Sequence, residues 1–242
     1  MDKKYIEQWI ESDPDGETKA ELQALMEAED HKTLEKLFSS RLSFGTAGLR
    51  AELGPGPMRM NRLVVSQTAK GIADFLNTNR DSYLDSAGNL SAVIGFDARK
   101  NSEIFARDSA EILQAEGIEV ELFDQQVPTP VVAFTARRQN SSVAIMVTAS
   151  HNPPNDNGYK VYLGGSNGGS QIIPPQDAEI AQAISETGEI NPSNRSENYK
   201  LIGDKEIALY LKRCEELSGK TPSNLKIVYT AMHGVGWNTA SK

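Results

Sequence analysis

The sequence of 242 residues lacks most of the features that mark secreted and membrane proteins. Its single cysteine, Cys214, excludes an internal disulfide and suits a reducing compartment. No apolar run approaches the ~20 residues of a membrane span. The N-terminal segment MDKKYIEQWIESD is charged and lacks the apolar core of a signal peptide. We therefore expect a cytoplasmic protein that does not bind membranes.

Histidine and excess positive charge are also scarce. The chain contains 3 histidines, at positions 31, 151 and 233, and no two of them have the spacing of metal ligands. The formal net charge of −8 argues against general nucleic-acid binding, which needs a basic surface. An anionic small molecule stays a candidate ligand, because a few cations can reverse the field inside a cleft.

What the chain does contain is an alternation of helical and strand-like patterns. Residues 1–40 have apolar positions at helical spacing, and we expect them to form a helical lead-in packed on the main domain, with a partner-binding helix as the alternative. Residues 42–61 are dense in glycine and proline, so no regular element is expected there. A helix over 62–78 and alternating strands and helices over 91–140 predict an α/β layered sheet flanked by helices.

The apolar runs 141–150 and 158–164 predict two strands whose connection is too short for a crossover helix. They should be antiparallel neighbours, which makes the sheet mixed. Further along we expect a helix within 171–190, a polar connector over 191–203, a helix over 204–219 and a strand within 225–237.

The expected strand within 225–237 would have nothing after it to pair with or to cover it. We therefore predict three regions: the lead-in at 1–40, the main domain at 41–200, and the beginning of a second α/β domain at 201–242. The stranded segment should expose the apolar side chains of Ile227, Val228 and Tyr229.

The connection VTASHNPPNDNGYKVY places Ser150 just beyond a strand, where α/β sheets position their ligand sites. Two prolines stiffen the following turn, Lys160 returns past the serine on the next strand, and His151 can donate to an oxygen nearby. A polar hairpin whose side chains only satisfy backbone groups fits the pattern equally well. A serine hydrolase fits less well, because the G-x-S-x-G elbow is absent.

Two earlier segments add cations. In FGTAGLR, Gly45 and Gly48 would let the backbone approach a ligand closely, and Arg50 is a bidentate donor for phosphate. In GFDAR, Arg99 ends a strand. Each segment alone fits an ordinary turn, or a structural Asp97–Arg99 pair. If the three loops meet at one sheet edge, they suit a phosphate ester on the serine or a sugar phosphate beside it.

These segments resemble a known family. TASHNPPNDNGYKVY resembles the phosphoserine loop of the α-D-phosphohexomutases, the phosphoglucomutase/phosphomannomutase superfamily. FGTAGLR and GFDAR resemble that family's first-domain motifs in the same order, and VYTAMHGVG resembles the opening of its second domain. The double proline is most like the branch of bacterial phosphoglucomutases of the phosphopentomutase-like type. The resemblance runs from about residue 40 to the end of the chain.

The resemblance implies phosphotransfer between the 1- and 6-positions of a hexose phosphate through a bisphosphate intermediate. Ser150 would carry the phosphoryl group and ligate Mg²⁺ through its phosphate, and a bisphosphorylated sugar would be the activator. His151 and Lys160 would flank the phosphoserine, with Lys160 as acid/base. Implied phosphate- or substrate-binding residues are Thr46, Gly48, Arg50, Arg99 and Asn152.

One departure from the family pattern limits these expectations. The metal loop D-x-D-x-D-R, the sugar-recognition loop and the distal phosphate loop are not found in this sequence. We therefore expect the N-terminal part of a mutase that alone shows no mutase turnover and no ordered Mg²⁺, which needs carboxylates to hold it. The sequence does not specify the preferred sugar phosphate or the oligomeric state. Phosphopentomutase activity and a non-catalytic sugar-phosphate binding module are the alternatives.

Overall fold

The structure is a computed structural model that describes residues 2–45, 48–188, 194–218 and 224–242. Within these residues, helices flank one mixed sheet of seven strands, which confirms the predicted α/β fold. The strands are β1 Leu49–Glu52, β2 Ser91–Phe96, β3 Glu119–Phe123, β4 Val143–Val147, β5 Asp156–Leu163, β6 Ser170–Gln171 and β7 Lys200–Ile202. They are ordered β1-β5-β4-β2-β3-β7, and β6 pairs with β5.

Helices precede, separate and follow these strands along the chain. They are α1 Lys3–Ser12, α2 Gly16–Glu27, α3 His31–Phe38, α4 Arg62–Thr78, α5 Arg80–Tyr83, α6 Ser102–Ala115, α7 Thr129–Gln139, α8 Gln176–Glu186, α9 Asp204–Ser218 and α10 Trp237–Ala240. A short 3₁₀ helix, Gly165–Asn167, precedes β6. None of the described helices is long and apolar enough to cross a membrane.

Parallel and antiparallel pairing divide the sheet. β4, β2, β3 and β7 pair in parallel with one another, and the alternating strands and helices predict this for β2, β3 and β4. β5 runs antiparallel to β4, with Val147 opposite Tyr159, which confirms the expected pair around the serine loop. β1 adds antiparallel to the far side of β5.

The sheet has an apolar core on each face. On β2, Ala92 and Ile94 belong to the larger core with α4 and α6, whereas Val93 belongs to the smaller core with α7 and α9. This alternation is the two-residue period of a strand that is buried on both sides. The first three helices bury Ile6 and Leu34 in the larger core, so the lead-in packs on the main domain as expected.

Three local expectations were wrong or incomplete. β1 lies within 42–61, because buried Leu49 pairs with Tyr159 of β5. β7 lies within the expected connector and pairs with β3. No strand forms over 224–231, where the described backbone has no regular structure, and α10 follows it. Strand-like composition is insufficient for a strand when the segment pairs with no other strand.

The apolar side chains of this C-terminal segment are exposed, as expected. Val228 is 99 % exposed, Ile227 82 % and Tyr229 48 %. The predicted boundary between residues 200 and 201 stays a prediction. The structure places the residues around it against the main sheet, since β7 pairs with β3 and Tyr210 of α9 stacks edge-on to Phe134 of α7.

Candidate active site

Ser150 lies at a tightly fixed turn after β4. The Thr148 N–H donates to the Gly158 carbonyl oxygen at 3.0 Å, which extends the β4–β5 pairing by one residue. The Ser150 N–H then donates to Thr148 Oγ1 at 3.0 Å. Ser150 has φ of +56°, the left-handed region that non-glycine residues adopt at a free-energy cost. A conformation of this kind persists only where the surroundings enforce it.

The rest of the loop closes on itself. The Asn152 N–H donates to the Ala149 carbonyl at 3.0 Å, and Asn152 Nδ2 donates to Asp156 Oδ2 at 2.9 Å. The Asp156 N–H donates to the Pro153 carbonyl at 3.0 Å. The side-chain nitrogen of Asn152, which was predicted to bind substrate, therefore donates a hydrogen bond within the loop.

Arg99 enters the loop from the adjacent strand end. Its Nη1 donates to the carbonyl oxygens of Pro153 at 2.7 Å and Asp156 at 2.9 Å, and its Nη2 donates to those of Ser150 at 2.9 Å and Asn152 at 2.8 Å. Direct phosphate binding by Arg99 stays a prediction, but the structure gives these four donors to the loop backbone.

Asp97, Ser102 and Asn157 form a hydrogen-bond network that holds Arg99. Ser102 Oγ donates to Asp97 Oδ1 at 2.7 Å, and Asn157 Nδ2 donates to Ser102 Oγ at 3.0 Å. The Arg99 N–H donates to Asp97 Oδ1 at 3.0 Å, and Arg99 Nε lies 3.6 Å from Asp97 Oδ2. Sequence reasoning considered the Asp97–Arg99 pair but missed Ser102 and Asn157, because an N-terminal helix residue and a turn asparagine carry no signal of a shared network.

Gly48 immediately precedes β1 and lets the backbone there pack closely against β5. Its φ is +74°, and a Cβ placed there would lie 1.8 Å from the Tyr159 carbonyl oxygen. The close approach that this glycine permits is therefore to the neighbouring strand. Arg50 follows on β1 opposite Gly158, with an exposed side chain. Thr46, the other predicted phosphate ligand in this segment, lies outside the described residues.

Lys160 lies on β5 between a cation and an anion. It shares its strand face with Gly158, opposite Arg50, because residues two apart in a strand point the same way. Burial, and secondly the positive charge of Arg50, lower the pKa of Lys160, while the negative charge of Asp97 opposes this. A lysine with a lowered pKa exchanges its proton more readily near neutral pH, as an acid/base residue must.

Replacing Arg50 with glutamine should raise the pKa of Lys160 toward that of an ordinary lysine. Removing a neighbouring cation favours the charged ammonium, whereas the burial contribution stays. NMR titration of labelled lysine side chains measures this shift. Arg107→Gln is the control, because Arg107 pairs with Glu103 on the exposed surface of α6. A Lys160 pKa that is unchanged in Arg50→Gln would contradict the proposed electrostatic contact.

Ser150, Asn152 and Arg99 meet at one cleft of about 580 Å³. The cleft is lined by Asp97, Ala98, Arg99, Lys100, Ser150, Asn152, Pro154, His233, Gly234 and Val235. Arg50, Lys160 and the exposed His151 lie outside this lining. Sequence reasoning did not place His233 here, although the HGVG pattern around it marks a loop. A larger cavity of about 940 Å³ lies between α9 and the C-terminal segment, and none of the predicted site residues lines it.

The residues around Ser150 do not make a magnesium site by themselves. In the part of the chain that the structure describes, no group of three His, Cys, Asp or Glu residues could hold a metal ion. Asp97, which lines the cleft, accepts a hydrogen bond from Ser102, and Asp156 of the serine loop accepts one from Asn152. We therefore assign no chemical step to a metal ion.

Comparison with known proteins adds a family and a fold. Residues 41–191 match the model of phosphoglucomutase/phosphomannomutase, alpha/beta/alpha domain I. A Haemophilus influenzae protein named "Probable phosphomannomutase" is 44 % identical over 76 % of this chain and 37 % of its own length. The Homo sapiens phosphopentomutase is 38 % identical over 95 % of this chain and 39 % of its own length. The chain thus spans about two fifths of the length of these relatives.

A solved structure has the same fold. The phosphoglucomutase/phosphomannomutase family protein from Burkholderia thailandensis superposes with a TM-score of 0.54 at 22 % identity. The superposition covers 71 % of this chain and 34 % of that one. At this level of identity the likeness supports the arrangement of strands and helices, and the site residues have to be argued from their own geometry.

Proposed function

Because the chain belongs to the phosphoglucomutase/phosphomannomutase family, we propose that Ser150 accepts and returns a phosphoryl group in a phosphosugar mutase reaction. The observation that carries this proposal is the serine loop itself. Ser150 has a left-handed backbone conformation at the edge of a cleft. It lies on a loop whose carbonyl oxygens accept hydrogen bonds from Arg99. Such a loop presents one hydroxyl in a fixed place, which phosphoryl transfer requires.

In the proposed step, Ser150 Oγ attacks one phosphorus atom of a bisphosphorylated sugar. A bond forms between Oγ and phosphorus, the bond between phosphorus and the sugar oxygen breaks, and the serine proton moves to the departing sugar oxygen. Lys160, whose pKa is lowered, is the proposed carrier of that proton. Phosphorylated Ser150 then gives its phosphoryl group to the free hydroxyl of a sugar monophosphate, which becomes a bisphosphate. After this intermediate turns around, Ser150 takes the phosphoryl group from the other position, and the phosphate of the sugar has changed place. Arg50 is proposed to add positive charge that stabilises the transferring group, and His151 is proposed to donate a hydrogen bond to it.

The preferred substrate is a hexose phosphate phosphorylated at the 1- or 6-position. A pentose phosphate is the second candidate, because relatives named phosphopentomutase match almost the whole of this chain. A bisphosphorylated sugar is the proposed activator. Mg²⁺ would bind through an oxygen of the phosphate on Ser150. Carboxylates other than those around the serine loop would complete its ligands. We place the protein in the cytoplasm, since its single cysteine suits a reducing compartment.

Phosphate uptake by the purified 242-residue chain tests this function. The chain is incubated with glucose 1,6-bisphosphate or ribose 1,5-bisphosphate in the presence of Mg²⁺, and phosphate is followed by intact mass and peptide mapping. We expect one phosphate per chain, located on Ser150 and acquired faster from the hexose. Each chain reacts once, so even slow transfer accumulates.

The opposite results identify the alternatives. Faster labelling from the pentose bisphosphate would indicate a phosphopentomutase. Saturable binding of both sugars with no phosphate on Ser150 would contradict the transfer proposal and favour a non-catalytic sugar-phosphate module.

A further inference from the structure

We propose that Arg99 is a positioning residue that fixes Ser150 for phosphoryl transfer by binding the backbone of the serine loop. The inference rests on the proposed function, because it assigns a role within that same site. It also differs from what the sequence suggested, since an arginine at a strand end beside a phosphate site would ordinarily be expected to bind the phosphate itself.

The first support is the geometry of the guanidinium group. Its two terminal nitrogens carry four N–H bonds, and the structure shows four carbonyl acceptors for them at 2.7–2.9 Å. These acceptors span the loop from Ser150 to Asp156. One side chain therefore ties together both ends of the turn.

The second support is the chemistry that this arrangement needs. A guanidinium is planar and always charged, and its donors form a rigid fork. A lysine ammonium has three donors around one atom, so it cannot reach four carbonyl oxygens in this arrangement. Carbonyl oxygens are partly negative and would repel a phosphate. The hydrogen bonds from Arg99 offset part of this negative charge beside the serine.

The third support is that Arg99 is itself held. Asp97 accepts hydrogen bonds from the Arg99 backbone N–H and from Ser102 Oγ, and its other oxygen lies 3.6 Å from Arg99 Nε. Asn157 reaches Ser102 from β5, and both side chains are fully buried. The guanidinium orientation is thus fixed by residues from the segment after β2, from α6 and from β5 together, as a positioning role requires.

Arg99→Lys is the variant that tests this role, with Arg107→Lys as the matched control on the exposed face of α6. Amide hydrogen exchange reports the mobility of residues 148–157, and labelling by glucose 1,6-bisphosphate reports the chemistry at Ser150. We expect Arg99→Lys to raise loop exchange about 10-fold and to slow phosphorylation about 100-fold, with exchange of the central strands unchanged. Arg107→Lys should change neither quantity.

Different outcomes overturn different statements. Slower phosphorylation with wild-type loop exchange would make Arg99 a phosphate ligand and overturn the positioning role. Faster exchange with normal phosphorylation, or no change in either, would overturn it as well. If the wild-type chain takes up no phosphate, the proposed function fails, while loop exchange alone still decides whether Arg99 holds the loop.

A second variant covers the case in which Arg99→Lys does not fold. Ser102→Ala removes one hydrogen bond to Asp97 and leaves Arg99 in place. It should raise loop exchange about 3-fold, and its phosphorylation rate should fall in proportion, because a less firmly held guanidinium orders the loop less completely. Loop exchange equal to wild type in this variant would count against the network.

Discussion

Replacing Ser150 with alanine should abolish the uptake of phosphate from glucose 1,6-bisphosphate while leaving the chain as stable as wild type. The loss is complete because the proposed transfer forms its new bond at the serine oxygen. Stability should change by less than about 0.5 kcal/mol, since no described residue hydrogen-bonds to Ser150 Oγ and the backbone bonds of Ser150 are kept. Intact mass after incubation, and urea unfolding of both proteins, measure the two effects.

Ser166→Ala is the matched control for this variant. Ser166 is an exposed serine of the 3₁₀ helix before β6, away from the serine loop. The Ser166→Ala chain should be phosphorylated on Ser150 at the wild-type rate. If Ser150→Ala still acquires one phosphate per chain, the phosphoryl carrier is a different residue and the proposed assignment is wrong.

Replacing Gly48 with alanine should destabilise the chain by about 4 kcal/mol. The new Cβ would lie 1.8 Å from the Tyr159 carbonyl oxygen, and its φ of +74° is unfavourable for a side chain. The Cβ is fixed to the backbone immediately before β1, and the carbonyl oxygen belongs to the backbone of β5. The clash is therefore relieved only if β1 moves away from β5. Urea unfolding gives the free energy, and a large loss of this kind is diagnostic of backbone strain.

Gly45→Ala provides the control within the same turn. A Cβ at Gly45 would meet nothing within 4 Å, and this glycine has no positive φ, so its replacement should cost less than about 1 kcal/mol. Equal stability of the two variants would show that β1 adapts without strain and that Gly48 is not needed for the pairing with β5.

The central strands and helices could be predicted because their signals are local. The apolar runs of β2, β3 and β4, together with the helical periods of α6 and α7, are features of contiguous residues. The short connection after Ser150 was also sufficient to predict an antiparallel pair. The family resemblance predicted a phosphosugar mutase, and the domain match over 41–191 agrees with it.

The edges of the sheet could not be predicted in the same way. β1 and β7 are short strands defined by partners far away in the chain, Tyr159 for Leu49 and Leu122 for Leu201. Conversely, residues 225–231 have the composition of a strand but form no strand and pair with no edge of the sheet. Pairing is a non-local property, and strand propensity reflects the surroundings as much as the residue.

The sequence by itself determined the α/β class, the serine loop and its likeness to a mutase family, because each depends on residue types at short spacing. Only the tertiary structure decided what Arg99 and Gly48 do. A guanidinium can donate to a phosphate or to carbonyl oxygens with the same chemistry, and a glycine can admit a ligand or a neighbouring strand. The choice depends on which atoms the fold brings within hydrogen-bonding or contact distance, here four carbonyl oxygens of the loop for Arg99 and the carbonyl of Tyr159 for Gly48.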